Sequence, residues 1–223
     1  MGFAELNPSY PVFSMIRGVA KNSWQLGGVV LKRLGILVLL MWVGAVAFAG
    51  SHEVAGVSLP LEVRVEGIAE PLRLNGAGVR SKFFFKIYVA ALYLEHEGRA
   101  AEEILRQLPA YRLAMHFLYH EVSREKLDEG WEEGFRANLS TMALTGLRER
   151  LERFKRLFAT LHEGDVVWLD HIPGQGTRVS INGRFRGLIE GDDFSRALLS
   201  VWLGRNPVTE SLKKALLSAA TPL

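Results

Sequence analysis

In the segment LEVRVE, residues 61–66, apolar side chains fall at Leu61, Val63 and Val65 and polar ones between them. Alternation of period two predicts a half-buried strand. Asn75-Gly76-Ala77-Gly78 reads as a turn. Lys82 to Leu94, KFFFKIYVAALYL, is aromatic and apolar with few charges, and predicts one long strand or two, bent near Ala90-Ala91. Ala101 to Gln107 predicts a short helix. Tyr111, Leu113, Met115 and Phe117 then alternate with Arg112, Ala114, His116 and Leu118, which predicts another strand.

The period changes at Ser123. This residue offers an N-cap, and Leu127, Trp131 and Phe135 follow at every fourth position, so a helix begins there. A second helix is predicted over Leu147 to Leu161, with Leu147, Leu151, Phe154 and Leu157 or Phe158 on one face. Strands are predicted at Asp165–Ile172 and Thr177–Ile181, joined by the turn Pro173-Gly174-Gln175-Gly176. Asn182-Gly183 is a strong hairpin signal leading to a strand at Phe185–Ile189. Asp192 or Asp193 would cap a helix to Leu203, ended by Gly204, and a last helix covers Thr209 to Ser218. Strands, helices, a meander and helices again, in that order, imply an α+β fold: an antiparallel sheet with helices packed on one face.

The N-terminal stretch follows another logic. Lys32-Arg33 precede an uncharged run from Leu34 to Ala49 that ends in Ala47-Phe48-Ala49. The run is shorter than the ~20 residues of a comfortable transmembrane helix, and its end has the small-x-small pattern of a signal peptidase site. Residues 1–49 are thus expected to be an extension plus signal peptide, with cleavage after Ala49 and a mature domain over residues 50–223. Export, to the periplasm in a bacterial cell, follows, with the membrane touched only through the leader; an uncleaved anchor is the rival reading. The first 30 residues carry Pro8 and Pro11 and no sustained periodicity, so translation is expected to start near Val30 or Leu31.

Charge changes the picture less than it first promises. The 223 residues carry a formal charge of +3, but the excess lies in Arg17, Lys21, Lys32 and Arg33, set against Glu5 alone. The remainder is balanced and its signs are interleaved. A nucleic-acid groove needs a concentrated positive footprint, so nucleic acid is not expected as a partner. The chain has no cysteine, which excludes disulfides, thiolate zinc sites and thiol nucleophiles.

Most candidate chemistry reduces to structure. His116 and His120 would sit about 13 Å apart along a strand, too far to share a metal. Gly174-Gln175-Gly176-Thr177 lacks the following helix of a phosphate cradle, and Gly76-Ala77-Gly78 lacks the third glycine of a dinucleotide site. Glu129, Glu132 and Glu133 fit a solvated helix face. No Gly-x-Ser-x-Gly elbow occurs, and neither a cofactor nor a metal is expected. One pair remains: Arg80, after the glycine turn, and Tyr88, inside the most apolar strand. A guanidinium keeps its proton and needs an anion or carbonyl partner when it enters an apolar layer. With a tyrosine hydroxyl beside it, it could hold a carboxylate or enolate-like oxygen at the mouth of an apolar pocket. An internal Arg–carboxylate pair is the alternative.

Gly76-Ala77-Gly78-Val79-Arg80 with KFFFKIYVAALYLE through Glu95 resembles the signature of the chalcone isomerase superfamily, and NGRFRGLIEGDDFSRALLSVWLGRNPVTESLKKALL is similar to the end of that domain. The resemblance spans about residues 57–218 and points to bacterial chalcone isomerase-like proteins. It implies an open-faced β-sandwich, a large antiparallel sheet under a layer of helices. Arg80 matches the arginine that polarises substrate in plant isomerases and holds carboxylate in the fatty-acid-binding branch. Tyr88 falls where the isomerases have threonine and that branch has tyrosine. The isomerases' water-ordering tyrosine aligns to Leu127, their substrate-holding asparagine to Gly134, and their hydroxyl residue near the final helix to Val201, beside Trp202. With most of the polar network absent, the resemblance implies a non-catalytic domain binding a small acidic or amphipathic molecule such as a fatty acid. Phe83, Phe85, Leu127, Val201 and Trp202 would supply the apolar walls. An isomerase acting on a chalcone-like phenolic or enone substrate, and a structural or partner-binding role, are the alternatives.

Overall fold

The computed structural model describes residues 50–218. The expected leader, its cleavage after Ala49 and the translation start near Val30 lie outside them. The described residues form eleven strands: β1 Ser51–Val54, β2 Val57–Pro60, β3 Glu62–Val63, β4 Leu72–Lys82, β5 Phe85–Leu94, β6 Tyr111–Phe117, β7 Glu121–Val122, β8 Leu161–His162, β9 Val166–Ile172, β10 Gly176–Ile181 and β11 Arg184–Glu190. The helices are α1 Ala101–Gln107, α2 Arg124–Asn138, α3 Thr141–Lys155, α4 Asp192–Leu203 and α5 Glu210–Leu216. Seven strands form one sheet in the order β11-β10-β9-β6-β5-β4-β3, every neighbouring pair antiparallel. The fold is α+β, as the order of periodicities implies.

Strand alternation sorts the core onto two faces. Tyr88, Ala90, Leu92 and Leu94 of β5 and Leu113, Met115 and Phe117 of β6 point toward the helices, where they meet Leu127, Trp131 and Phe135 of α2 and Phe194, Leu198, Val201 and Trp202 of α4. Val89, Ala91 and Tyr93 point the other way and cluster with Leu72 and Leu74 of the neighbouring β4 and with Leu59 and Val65. Farther along that outer face Arg112 and Asp170, cross-strand partners on β6 and β9, form a buried two-pronged ion pair at 2.6 and 2.7 Å. Arg112 also stacks over Trp168, 4.3 Å from the ring centre.

Several local expectations give way to longer-range constraints. Asn75–Gly78 is the interior of β4, not a turn. A Cβ on Gly76 would lie within 2.6 Å of the carbonyl oxygens of Ala215 and Leu216, and one on Gly78 would lie 2.6 Å from the Ala215 Cβ. These glycines let α5 press onto the strand. Asn75 fastens the contact: its Nδ2 donates to Leu216 O and Gly98 O at 2.8 Å, and its Oδ1 accepts from Gly98 N at 2.7 Å. The real turn is Phe83-Phe84, between the paired residues Lys82 and Phe85, so Lys82–Leu94 is not one strand and β5 runs through Ala90-Ala91 without a break. Phe83 takes φ 55° there, a left-handed conformation that costs a residue with a Cβ roughly 1–2 kcal/mol. Leu61–Glu66 contributes only the short strand Glu62–Val63.

The helix starts follow their caps. Ser123 Oγ accepts from Lys126 N and opens α2. Ser140 Oγ accepts from Ala143 N, so α3 begins at Thr141 rather than Leu147 and ends at Lys155. Gly191 occupies the N-cap of α4, with Asp192 and Asp193 inside its first turn. There they oppose the positive helix end, and Asp193 binds Arg150 through both oxygens at 2.6 Å.

Candidate functional site

The β4–β5 hairpin fixes the central pair. Its register places Arg80 directly opposite Tyr88, because the Phe83-Phe84 turn and the irregularity at Arg80/Ser81 together set the count. The Arg80 Cζ lies 5.6 Å from the centre of the Tyr88 ring. The Arg80 Nε is buried and has no hydrogen-bond partner among the described residues, and no ion pair there includes Arg80. The internal Arg–carboxylate pair considered from the sequence is absent from the described residues.

Tyr88 is almost wholly buried and its hydroxyl accepts a hydrogen bond from Trp202 Nε1 at 3.0 Å. Burial raises its phenol pKa, against the lowering influence of the Arg80 charge and the Trp202 bond. The hydroxyl therefore keeps its proton and remains a donor.

Both residues line a cavity of about 50 Å³ together with Leu127, Gly130, Trp131, Val201 and Trp202. That volume suits a headgroup of a few atoms, since one water needs roughly 10–15 Å³ of such space. Sequence reasoning found Trp131 only as a helix-face aromatic. In the fold its buried Nε1–H, like the Arg80 Nε–H, lacks a partner among the described residues. Buried donors are satisfied in the great majority of cases, so two orphaned N–H groups on one apolar cavity mark a place for an acceptor. Nothing in the spacing of Leu127, Trp131 and Phe135 distinguishes the tryptophan from its neighbours.

The cavity adjoins an open groove of about 300 Å³, with Arg80, Ile87, Val122, Lys126 and Gly130 common to both. Phe83 and Phe85 line this groove rather than the inner cavity, and they are 86% and 56% exposed. Of the five residues expected as apolar walls, Leu127, Val201 and Trp202 fall on the inner cavity, and Phe83 and Phe85 fall on the groove that shares Arg80 with it, because the chain turns at Phe83-Phe84 and carries both onto a projecting tip. Opposite them lie Glu121, Glu129 and Glu133. In the groove these carboxylates are balanced by Arg80, Lys82 and Lys126, whereas the cavity is lined by Arg80 and Lys126 with no carboxylate, so an anion is favoured in the cavity.

Gly130 and Gly134 lie one turn apart on α2 and do different things. A Cβ on Gly130 would meet nothing within 4 Å, whereas one on Gly134 would lie 2.8 and 2.9 Å from the two Val201 methyls. Gly130 keeps the groove open; Gly134 brings α2 against α4. A separate groove of about 630 Å³ lies beside Arg150. Its Arg150 is already spent on Asp193, and no buried unpartnered polar atom faces it among the described residues. His116 lies on β6, His120 beyond its end, and no cluster of three or more His, Asp or Glu among the described residues is placed to hold a metal.

No curated protein matches the chain. Among solved structures it is similar to a fatty-acid binding protein of Arabidopsis thaliana, with a TM-score of 0.58 and 17% identity, covering 75% of this chain and 95% of that one. At that identity the likeness is one of fold. The chalcone isomerase-like family matches residues 51–218, nearly all of the described domain. The chain therefore belongs to the chalcone isomerase-like family.

Proposed function

We propose that the domain binds a small amphipathic acid, a fatty acid or a molecule of that build, without converting it. The observation that carries this reading is the buried Arg80 Nε with no partner among the described residues, on a guanidinium whose Cζ lies 5.6 Å from the Tyr88 ring centre beside an apolar cavity. A carboxylate there would accept from Arg80, from the Tyr88 hydroxyl and from Trp131 Nε1, three donors for a group with about four lone-pair sites. The apolar chain would run outward along Ile87, Val122, Phe83 and Phe85. The name of the Arabidopsis protein agrees with this chemistry.

The same residues speak against isomerase chemistry. Cyclisation of a chalcone-like substrate needs donors for a developing enolate and a proton relay, and loss of a single such donor typically costs ~100–1,000-fold in rate. Leu127 and Val201 line the cavity with apolar side chains, and Gly134 is occupied in helix packing.

The test is direct. The protein is purified from cells and extracted with solvent, and the extract is examined by mass spectrometry for an acid or lipid in stoichiometric amount. Recovery of such a molecule, displaced by added fatty acid, is the expected result. Turnover of chalcone near ordinary enzyme values, on the order of 10 per second, would overturn it. We infer in addition that the domain acts outside the cytoplasm, from the apolar run Leu34–Ala49; N-terminal sequencing of exported protein should begin at Gly50.

A further inference from the structure

We propose that the Phe83-Phe84 hairpin tip is a lipid-docking element that inserts into the surface of an anionic bilayer and sets the mouth of the Arg80 groove against it. The docking stands on the hairpin itself; the use of docking to draw an acid from the bilayer rests on the carboxylate-binding reading above.

The tip is unusual in three ways at once. Phe83, Phe84 and Phe85 are consecutive and are 86%, 99% and 56% exposed. Single exposed apolar residues are ordinary, but contiguous ones mark an interaction surface. Second, the backbone does not select them. A two-residue hairpin turn with φ 55° at its first position is built for glycine or asparagine, and phenylalanine bears the strain described above. Neither solvent nor the turn favours aromatic rings here, so what favours them must come from outside the domain.

The third feature identifies the partner. Lys82 and Lys86 flank the aromatic run, both are exposed, and neither enters an ion pair among the described residues. Tyr119 packs edge-on against Phe85 at 5.5 Å. Apolar rings at the apex, a tyrosine behind them and free lysines at the rim match the layers of a membrane surface: acyl region, interface and anionic headgroups. A protein partner fits less well. A stable interface buries ~800 Å² on each side, more than three phenylalanines at roughly 150–250 Å² each would supply, and a convex tip offers no recess. Glu121, Glu129 and Glu133 across the groove would be repelled by the same headgroups, so only the tip enters. Lys82, Phe83 and Phe85 line the groove itself, and insertion would therefore bring its opening to the lipid.

The absence of cysteine allows a local test on the full chain. Ser81→Cys, exposed beside the tip, is labelled with an environment-sensitive fluorophore, and Met142→Cys, at a side chain 85% exposed on α3, serves as the control. With vesicles of phosphatidylcholine and phosphatidylglycerol the Ser81→Cys label should shift to the blue and be quenched by spin-labelled lipid, while the Met142→Cys label should not change. Because the readout is local, other segments touching the vesicle do not produce it. Adding Phe84→Asp should weaken the response roughly ten-fold or more, the effect of losing one buried phenylalanine side chain. A silent Ser81→Cys label, an equal response at both sites, or a blue shift that follows protein concentration without vesicles would each overturn the proposal, the last by showing self-association instead. The two readings separate cleanly. Phe84→Asp should leave equilibrium binding of a fluorescent fatty acid in vesicle-free buffer unchanged and slow its transfer from vesicles. Arg80→Met should lower that binding and leave insertion intact. Wild-type chain that inserts but binds no fatty acid would remove the carboxylate reading alone.

Discussion

The Trp202 indole donates its N–H to the Tyr88 hydroxyl across 3.0 Å, and that bond orients the tyrosine's proton. Because the oxygen accepts from Trp202, its own hydrogen is left to point elsewhere, and both residues line the cavity that holds the orphaned Arg80 and Trp131 donors. Tyr88→Phe would strand the Trp202 N–H in the core. The expected loss is about 1–3 kcal/mol, the cost of an unsatisfied buried donor, read as a lower urea midpoint with unchanged slope. The substitution should cost less in a Trp202→Phe background, since contacting residues are not additive.

Arg80 should behave in the opposite way. With its Nε desolvated and unpartnered, Arg80→Met should leave the melting temperature of ligand-free protein unchanged or raise it. Affinity for a fatty acid should fall by roughly 1.5–3 kcal/mol, the range for a hydrogen bond to a charged group. Arg80→Lys should lose most of that affinity too, because an ammonium cannot make the two-pronged contact. Strong destabilisation by Arg80→Met with intact binding would end the functional claim for this residue. Thermal melts and titration of both variants decide between these outcomes.

Two glycines on α2 should respond to alanine with opposite signs. Gly130→Ala places its Cβ in open space and should stabilise the domain by about 0.5–1 kcal/mol through helix propensity. Gly134→Ala drives a methyl to 2.8 Å from Val201 and should destabilise it by ~1–3 kcal/mol, the usual range for overpacking. Gly130→Leu should fold and yet block the groove, which a fluorescent fatty-acid titration would register.

Stability should fall in alkali. Burial raises the phenol pKa of Tyr88, Tyr93 and Tyr111; nearby Arg80 and Arg112 oppose this at Tyr88 and Tyr93. In the unfolded chain these phenols titrate near pH 10. Below that value both states are protonated and the stabilisation is complete. Above it the unfolded chain loses protons first, and stability declines toward the folded values. Phenolate absorbance should therefore show a portion that rises together with the loss of far-ultraviolet circular dichroism rather than ahead of it.

The parts of this fold that were legible in the sequence are those decided locally. Ser123 caps a helix because the three residues after it free their N–H groups, and Asn182-Gly183 turns a hairpin because both residues tolerate positive φ. The alternation from Tyr111 to Phe117 is visible because its two faces meet different surroundings. What the sequence hides depends on partners distant in the chain. Gly76 and Gly78 carry a turn's composition, but α5 needs their missing side chains. Phe83-Phe84 carries no turn composition at all, so the register that sets Arg80 opposite Tyr88 was hidden. Within the candidate site, Arg80, Tyr88, Leu127, Val201 and Trp202 fall on one cavity; an arginine and a tyrosine in an apolar layer point to the first two, and only the resemblance points to the other three. Trp131 escaped because a stripe of apolar residues does not reveal which member has an unpaired N–H.

The clamp of Asn75 onto Leu216, 141 residues apart, has a consequence for how the chain comes into being. The strand that carries Arg80 is made early, but the face bearing Gly76 and Gly78 has no cover until the last helix has been synthesised. Contacts of such separation form late, after the entropy of a long loop has been overcome. A growing or truncated chain can pair β4 with β5, yet it leaves that strand bare along one side. The end of the sheet that carries Arg80 is thus translated well before α5 and sealed only after it, and loss of α5 would be felt at Arg80.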